Sequence, residues 1–245
     1  MNEVILHNVI KRLGRDKIET AELLIECFKE EGYNKFKAPE LAENFLYQFL
    51  EFVNTQINDH SKKEIVCLFQ PTTNKYVTCF DFGFFEVQEI KRKLLTTITD
   101  RQFEFVGAHI LKKCFNAIKA NSTKGKSDGG YDFYGIINQK ENGNSNSVLN
   151  IEVFGQAKQY SNNITRPEID KFVGFIERNK NVYKYKPTIY IFVTTSDYSD
   201  GAYEFGTEYG IVCLNGLQIS SMIYRQLLTN NRNFNDGFND FIEDI

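Results

Sequence analysis

The sequence predicts an α/β protein. It is a mixed β-sheet covered by helices (α+β with a mixed sheet), preceded by a smaller, mainly helical part with a β-hairpin. Three observations carry this reading. The run Thr188–Thr194 holds Ile189, Tyr190, Ile191, Phe192 and Val193 in succession, as an interior strand covered on both faces requires. From Thr99 to Leu227, stretches with helical apolar spacing alternate with short strand-like runs. A chain of 245 residues is long enough for one large domain or two smaller ones with a real core.

The first ninety residues read as helices and a hairpin. Val4–Leu13 forms a short helix. Thr20 caps a second, whose stripe is Leu23, Leu24, Cys27 and Phe28, and Gly32 ends it. A third runs from Pro39 to Asn58, with Pro39 in its first turn and Leu41, Phe45, Leu46, Phe49, Leu50 and Val53 at helical spacing. Glu64–Phe69 and Tyr76–Phe82 alternate as strands, joined by a turn at Pro71–Asn74. Helices followed by a hairpin suit a winged-helix-like specificity unit on DNA, and suit a dimerisation or packing module equally well. Lys62, Lys63 and Lys75 flank the hairpin, either to meet phosphates or as solvated side chains. Glu86–Leu95 reads as a connecting helix, and the boundary is set near residue 90, giving units 1–90 and 91–245.

In the second part, Thr99-Asp100-Arg101-Gln102 is a capping box opening a helix towards Ala120. Its stripe is Phe103, Val106, Ile110, Cys114 and Ile118. Residues 121–130 form a polar, glycine-bearing loop with Lys124 and Lys126, without the spacing of a phosphate-binding loop. That basic pair suits a DNA backbone or plain solvent. Strands follow at Tyr131–Ile137 and Val148–Lys158. A second capping box, Thr165-Arg166-Pro167-Glu168, opens a helix to about Arg178. After the strand at 188–194 come a helix at 199–208, a strand at 211–214 and a final helix with Leu217, Ile219, Met222, Ile223 and Leu227. The order is α-β-β-β-α-β-α-β-α if 148–158 bends near Gly155, and α-β-β-α-β-α-β-α otherwise. Phe234, Phe238 and Phe241 are expected to dock onto the body.

Net charge is −3 with pI near 5.8, which is not that of a polybasic protein and argues weakly against nonspecific nucleic-acid coating. It leaves room for an enzyme with a locally basic cleft. Cys27, Cys67, Cys79, Cys114 and Cys213 are scattered, odd in number and without a CxxC pair, so they read as reduced thiols. No 18-residue apolar span and no basic, apolar leader are present, and a soluble intracellular protein with no membrane partner is expected.

The chemistry-bearing stretch is Asn150–Lys158. On an extended segment Glu152, Phe154, Gln156 and Lys158 share one face, and Ile151, Val153 and Ala157 the other. Phosphodiester hydrolysis needs hard oxygen ligands for a cation, a group to stabilise or deprotonate water, and charge against the scissile phosphate. Asp132, opening the neighbouring strand, fits the first need and Lys158 the second. Gln156 offers a weaker carbonyl ligand, and Glu104 would restore the missing charge. On the residues alone Glu104 reads more readily as a first-turn glutamate favoured by the helix dipole. Glu152 lies too far along the strand to share the ion.

Several motifs occur together. They are Phe103-Glu104-Phe105-Val106, then Ser127-Asp128-Gly129-Gly130-Tyr131-Asp132, then Gln156-Ala157-Lys158 followed by Tyr160. Ile164, Ile169, Phe172 and Gly174 come next, and Val193–Ser196 and Gly210–Val212 last. In this order and spacing they resemble the Mrr-like branch of the PD-(D/E)xK restriction endonucleases, in its QxK variant, over roughly residues 99–223. Phe133-Tyr134-Gly135 departs from the family, whose aspartate is often followed directly by glycine.

The resemblance implies a restriction-endonuclease-like core. It makes Asp132, Gln156, Lys158 and Glu104 the catalytic set, with Asp132, Gln156 and Glu104 as ligands of Mg2+. It implies a homodimer acting on double-stranded DNA in a prokaryotic cytoplasm. The expected function is a metal-dependent endonuclease, of type II by preference. A type IV enzyme reading modified DNA, a DNA-binding module with a decayed site, and a repair or junction-resolving nuclease are the alternatives.

Overall fold

In a computed structural model the protein is described over residues 3–79, 83–123, 129–140, 148–182, 186–229, 237–239 and 241. It divides into two compact units, Met1–Val87 and Gln88–Ile245.

The first unit holds α1 (Glu3–Arg12), β1 (Ile18–Glu19), α2 (Thr20–Glu30), α3 (Lys37–Lys62), β2 (Phe69–Thr73) and β3 (Tyr76–Cys79). The strands form an antiparallel sheet in the order β1-β3-β2. Leu24, Cys27, Phe28, Phe49, Val53, Phe69 and Val77 are buried in one core between helices and sheet. Three details differ from the sequence reading. Pro71 lies within β2, not in a turn, because β2 is an edge strand where a missing N–H costs no ladder bond. The segment 64–68 is not a strand: Glu64, at φ 55, turns the chain out of α3. Thr20 does not cap α2, since its hydroxyl donates to the Lys75 carbonyl at 3.0 Å. Asn34 supplies the oxygen at the start of α3, accepting from the N–H groups of Phe36 and Lys37 at 3.0 Å each.

Helix α4 (Gly83–Thr96) leads into the second unit, which continues with α5 (Asp100–Lys113), β4 (Lys119–Ser122), β5 (Phe133–Lys140) and β6 (Val148–Lys158). Then come α6 (Arg166–Val182), β7 (Thr188–Thr194), α7 (Asp200–Glu208), β8 (Ile211–Leu214) and α8 (Gly216–Thr229). The sheet order is β4-β5-β6-β7-β8. Its first three strands are antiparallel and its last three parallel. This is the mixed, helix-covered sheet the sequence predicts.

The three-strand form of the element order holds, for an unexpected reason. Strand β6 pairs without interruption through Gly155, and the additional strand is β4. Helix α5 stops at Lys113 rather than near Ala120. Asn116 takes a left-handed conformation at φ 53, which asparagine tolerates, and the chain turns back as β4. Ile118 therefore leaves the expected apolar stripe and is 64 % exposed.

Two buried layers hold the sheet. On the α6 face Phe154, Phe172, Phe175, Tyr190 and Phe192 pack together. Towards α5, the Phe133 ring fills the space left by two glycines, Gly107 and Gly155. A Cβ on Gly155 would stand 1.9 Å from Phe133 Cζ. The non-glycine residue after Asp132 is thus accommodated by glycine across the ladder. Phe238 and Phe241 are buried as expected, beside Lys93 and His109; Phe234 lies outside the described residues. All five cysteines are free, and burial pushes the Cys27 and Cys114 thiols up to about 11.

Candidate active site

The site forms where β5 begins and β6 ends. Gly129 and Gly130, at φ 79 and 99, turn the chain into Asp132. Gly130 lies so close to α6 that a Cβ would stand 2.9 Å from Phe175 Cβ. The Asp132 main chain is fixed from both sides: its N–H donates to Gly155 and its carbonyl accepts from Thr123, each at 2.8 Å.

On this frame the Asp132 carboxylate meets three donors through Oδ2. The Ala157 N–H donates to it at 2.8 Å, the Gln156 amide donates to it, and Lys158 Nζ stands 3.8 Å away. The sequence-predicted trio Asp132, Gln156 and Lys158 therefore converges on one oxygen. Burial pushes the Asp132 carboxyl above the ordinary aspartate range, against the opposing pull of the Ala157 N–H, Lys158, Arg101 and Gln156.

Glu104 comes from the first turns of α5. Its carboxyl is raised first by burial and then by the negative charge of Asp132, with Arg101 and Lys158 acting in the opposite sense. The charge on Asp132 thus reaches Glu104, whose direct hydrogen-bond partner is Arg101. Helix α5 is aimed by its capping box: the Thr99 hydroxyl accepts from the Gln102 N–H, and the Gln102 side chain accepts from Thr99 N.

Two residues here escaped the sequence reading. Arg101 donates to Glu104 and to the Thr123 carbonyl, and lies 4.8 Å over the Phe105 ring. Its i,i+3 spacing to Glu104 was a readable signal. Gln159 follows Lys158 directly and donates to the carbonyls of Leu94 and Ile98, at 2.7 Å each. No local pattern announces that contact.

Glu152, near the middle of β6, is buried and accepts from the exposed Lys186, Oε1 to Nζ 2.8 Å. Lys124 and Lys126 lie outside the described residues. Lys62, Lys63 and Lys75 belong to the first unit, where Lys75 pairs with Glu19 at 3.4 Å and lies over Tyr76.

Among the described residues no three His, Cys, Asp or Glu side chains cluster. The donor set is two carboxylates, Asp132 and Glu104, plus the Gln156 amide. Oxygen donors of this kind fit a hard cation such as Mg2+ and not a thiolate- or imidazole-seeking metal. The amide turns its NH2 end to the Asp132 carboxyl group; a cation there would favour the carbonyl end, by rotation about one bond. Among the described residues no helix is long and apolar enough to cross a membrane.

No curated protein matches the chain. Solved structures that resemble it include the MspJI restriction endonuclease in complex with a 27-mer oligonucleotide, at 17% identity and TM-score 0.48 over 66% of this chain and 36% of that one. The DNA modification-dependent restriction endonuclease AspBHI aligns at 18% identity and TM-score 0.49, over 65% and 40%. Restriction endonuclease FokI aligns at 16% identity and TM-score 0.37, over 96% and 46%. The chain thus spans less than half the length of each. The family model Mrr_cat, described as restriction endonuclease, matches residues 95–223 and takes in every residue of the Asp132 cluster. That match covers more than half of the 245 residues, and the chain belongs to the Mrr_cat restriction endonuclease family.

Proposed function

We propose that the protein is a divalent-metal-dependent endonuclease that hydrolyses phosphodiester bonds in double-stranded DNA. The observation that carries this reading is the meeting of an aspartate, a glutamine and a lysine on Asp132 Oδ2, with Glu104 in electrostatic reach. Asp132, Glu104 and the Gln156 carbonyl are the residues that would hold Mg2+. Bound there, the ion supplies Lewis-acid stabilisation of charge on the phosphate.

The chain's own groups do the rest. Asp132 is held rigidly by its main chain and by the Ala157 N–H, so its carboxylate needs no reorganisation. The Lys158 ammonium reaches the same point and offsets the charge that grows on phosphorus-bound oxygens as water adds and the P–O bond breaks. Before the ion binds, the Gln156 amide donates to the Asp132 carboxylate.

The charge distribution favours DNA contact by the second unit. Residues 1–87 carry 10 Lys and Arg against 14 Asp and Glu, whereas residues 88–245 carry 19 against 18. A net-negative first unit is a poor phosphate binder, and Lys75 is already engaged by Glu19. For the first unit we propose specificity or dimer contacts in place of backbone binding by Lys62, Lys63 and Lys75. The type proposed is II, acting as a homodimer on unmodified sites. Incubating the protein with methylated and unmethylated genomic DNA and Mg2+, then mapping the ends, tests this. Discrete fragments from both substrates support type II. Cutting of methylated DNA alone makes it type IV, and tight binding without cutting under any divalent metal overturns the nuclease reading.

A further inference from the structure

We propose that Arg101 is a positioning residue that competes with the divalent cation for Glu104 and is released towards a DNA phosphate when the cation binds. The inference rests on the reading of the Asp132 cluster as a cation site. It starts from charge. The cluster contains two carboxylates, Asp132 and Glu104, and two cationic side chains, Lys158 and Arg101. Four such groups sum to zero, yet a dication is best held where negative charge is in excess. One cation must give way.

Geometry selects Arg101. Lys158 meets Asp132 at 3.8 Å, too long for a hydrogen bond, and is committed to the point where chemistry occurs. Arg101 instead donates directly to Glu104 Oε2 through Nη1 and to the Thr123 carbonyl through Nη2. The first of these bonds occupies a carboxylate oxygen the ion would use.

The side chain has somewhere to go. Its surface is 42% exposed, against 25% for Glu104, so turning it outward uncovers no buried charge. The Phe105 ring under the guanidinium, 4.8 Å away, offers a platform that does not depend on Glu104. A guanidinium has five N–H donors in a planar fork, the geometry that matches a phosphate. Once Glu104 is taken by the ion, the freed fork is available to a phosphate of the bound duplex. The pair therefore exchanges partners, from carboxylate–guanidinium to carboxylate–cation and phosphate–guanidinium.

Three titrations with the full-length protein test this. Mn2+ binding to the DNA-free protein is measured for the parent, Arg101→Gln and Asp132→Asn. Arg101→Gln is expected to bind Mn2+ about tenfold more tightly, since a competing cation and its hydrogen bonds are gone. Asp132→Asn is expected to bind it at least tenfold more weakly. In a Lys158→Ala background, where cutting is slowed about a hundredfold or more, duplex affinity is followed against salt over times too short for appreciable cutting. Arg101→Gln should lower the slope by about one phosphate contact with Mn2+ present, and leave it unchanged in EDTA. Should Arg101→Gln not melt cooperatively, Arg101→Lys replaces it, with the same signs at smaller size because the fork is lost. Equal or weaker Mn2+ binding by the Arg101 variant, with Asp132→Asn still impaired, overturns the exchange and leaves the cation site standing. Mn2+ affinity that neither variant alters overturns both. A salt slope lowered equally in EDTA overturns the release step, since Arg101 would then contact phosphate without the ion.

Discussion

Lys158 Nζ and Asp132 Oδ2 face each other at 3.8 Å across the junction of two antiparallel strands. Lys158 ends β6, and Asp132 sits one residue before β5. Its N–H bonds to Gly155, so the β-ladder itself sets the separation. Removing either charge should therefore cost catalysis more than folding. Lys158→Ala and Asp132→Ala are each expected to lower cleavage by about a hundredfold or more, the scale of losing one preorganised electrostatic contact. Plasmid nicking at saturating Mg2+ reads the activity and a thermal melt reads the fold. A variant that melts with the parent and still cuts at more than a tenth of its rate would remove that residue from the chemistry.

The raised carboxyls of Asp132 and Glu104 give a second expectation, for the protein in chelator. Each holds its proton more tightly folded than unfolded. Between the ordinary carboxylate range, about 4, and the raised folded values, the native state binds more protons than the unfolded chain. Stability contributed by these two groups thus falls as pH rises through that window. Carboxyls elsewhere shift downward, such as Glu168 with Thr165 and Glu89 with Arg92, and act in the opposite sense. The informative quantity is the difference between parent and the Asp132→Asn, Glu104→Gln double variant. Melting temperatures from pH 4 upward should show the variant gaining on the parent; a constant difference would contradict the shifts.

Gly155→Ala tests the packing that brings β5 and β6 into register. The new Cβ would stand 1.9 Å from Phe133 Cζ, and Phe133 is buried. The ring has nowhere to move, because Gly107 is pressed against its other edge. Overpacking of this kind costs about 1–3 kcal/mol or more, a fall of roughly 2–12 °C in Tm for a chain of this size. Phe133→Ala should relieve it, so the double variant melts well above the sum of the two losses. Additive losses would mean the ring is not the obstacle.

What the sequence disclosed follows from how local each signal is. The Thr99 capping box, the apolar run of β7 and the alternation of β6 are written within a few neighbours, and the structure has each of them. Strand β4 was hidden because Lys119–Ser122 is a short polar edge strand, with neither an alternating face nor an apolar run to mark it. The only cue was Asn116, whose left-handed turn ends α5 early. In the site, Asp132 and Lys158 were legible as chemistry, whereas the meeting of Glu104 with them depends on how α5 crosses the sheet. Arg101 was visible only as a helix-surface partner of Glu104. Gln159 was not visible at all, since its acceptors lie more than sixty residues earlier.

That last contact yields the fourth expectation. The Gln159 amide donates to the Leu94 and Ile98 carbonyls, one in the last turn of α4 and one just beyond it. Helix-end carbonyls have no partner within the helix, so Gln159 supplies what the local chain does not. It also fixes the residue after Lys158, and with it the direction in which the ammonium leaves β6. Gln159→Ala should cost about 1–3 kcal/mol, the penalty of leaving half-buried carbonyls without a donor. Gln159→Glu should be worse, because a carboxylate would face two carbonyl oxygens. Activity is expected to fall in the same order through kcat, with DNA affinity little changed, because the amide positions Lys158 and does not touch the duplex. Thermal melts and single-turnover cleavage separate the two effects. A Gln159→Glu protein as stable as the parent would show that the amide is not holding those carbonyls, and a loss confined to DNA affinity would show that it acts on the duplex instead.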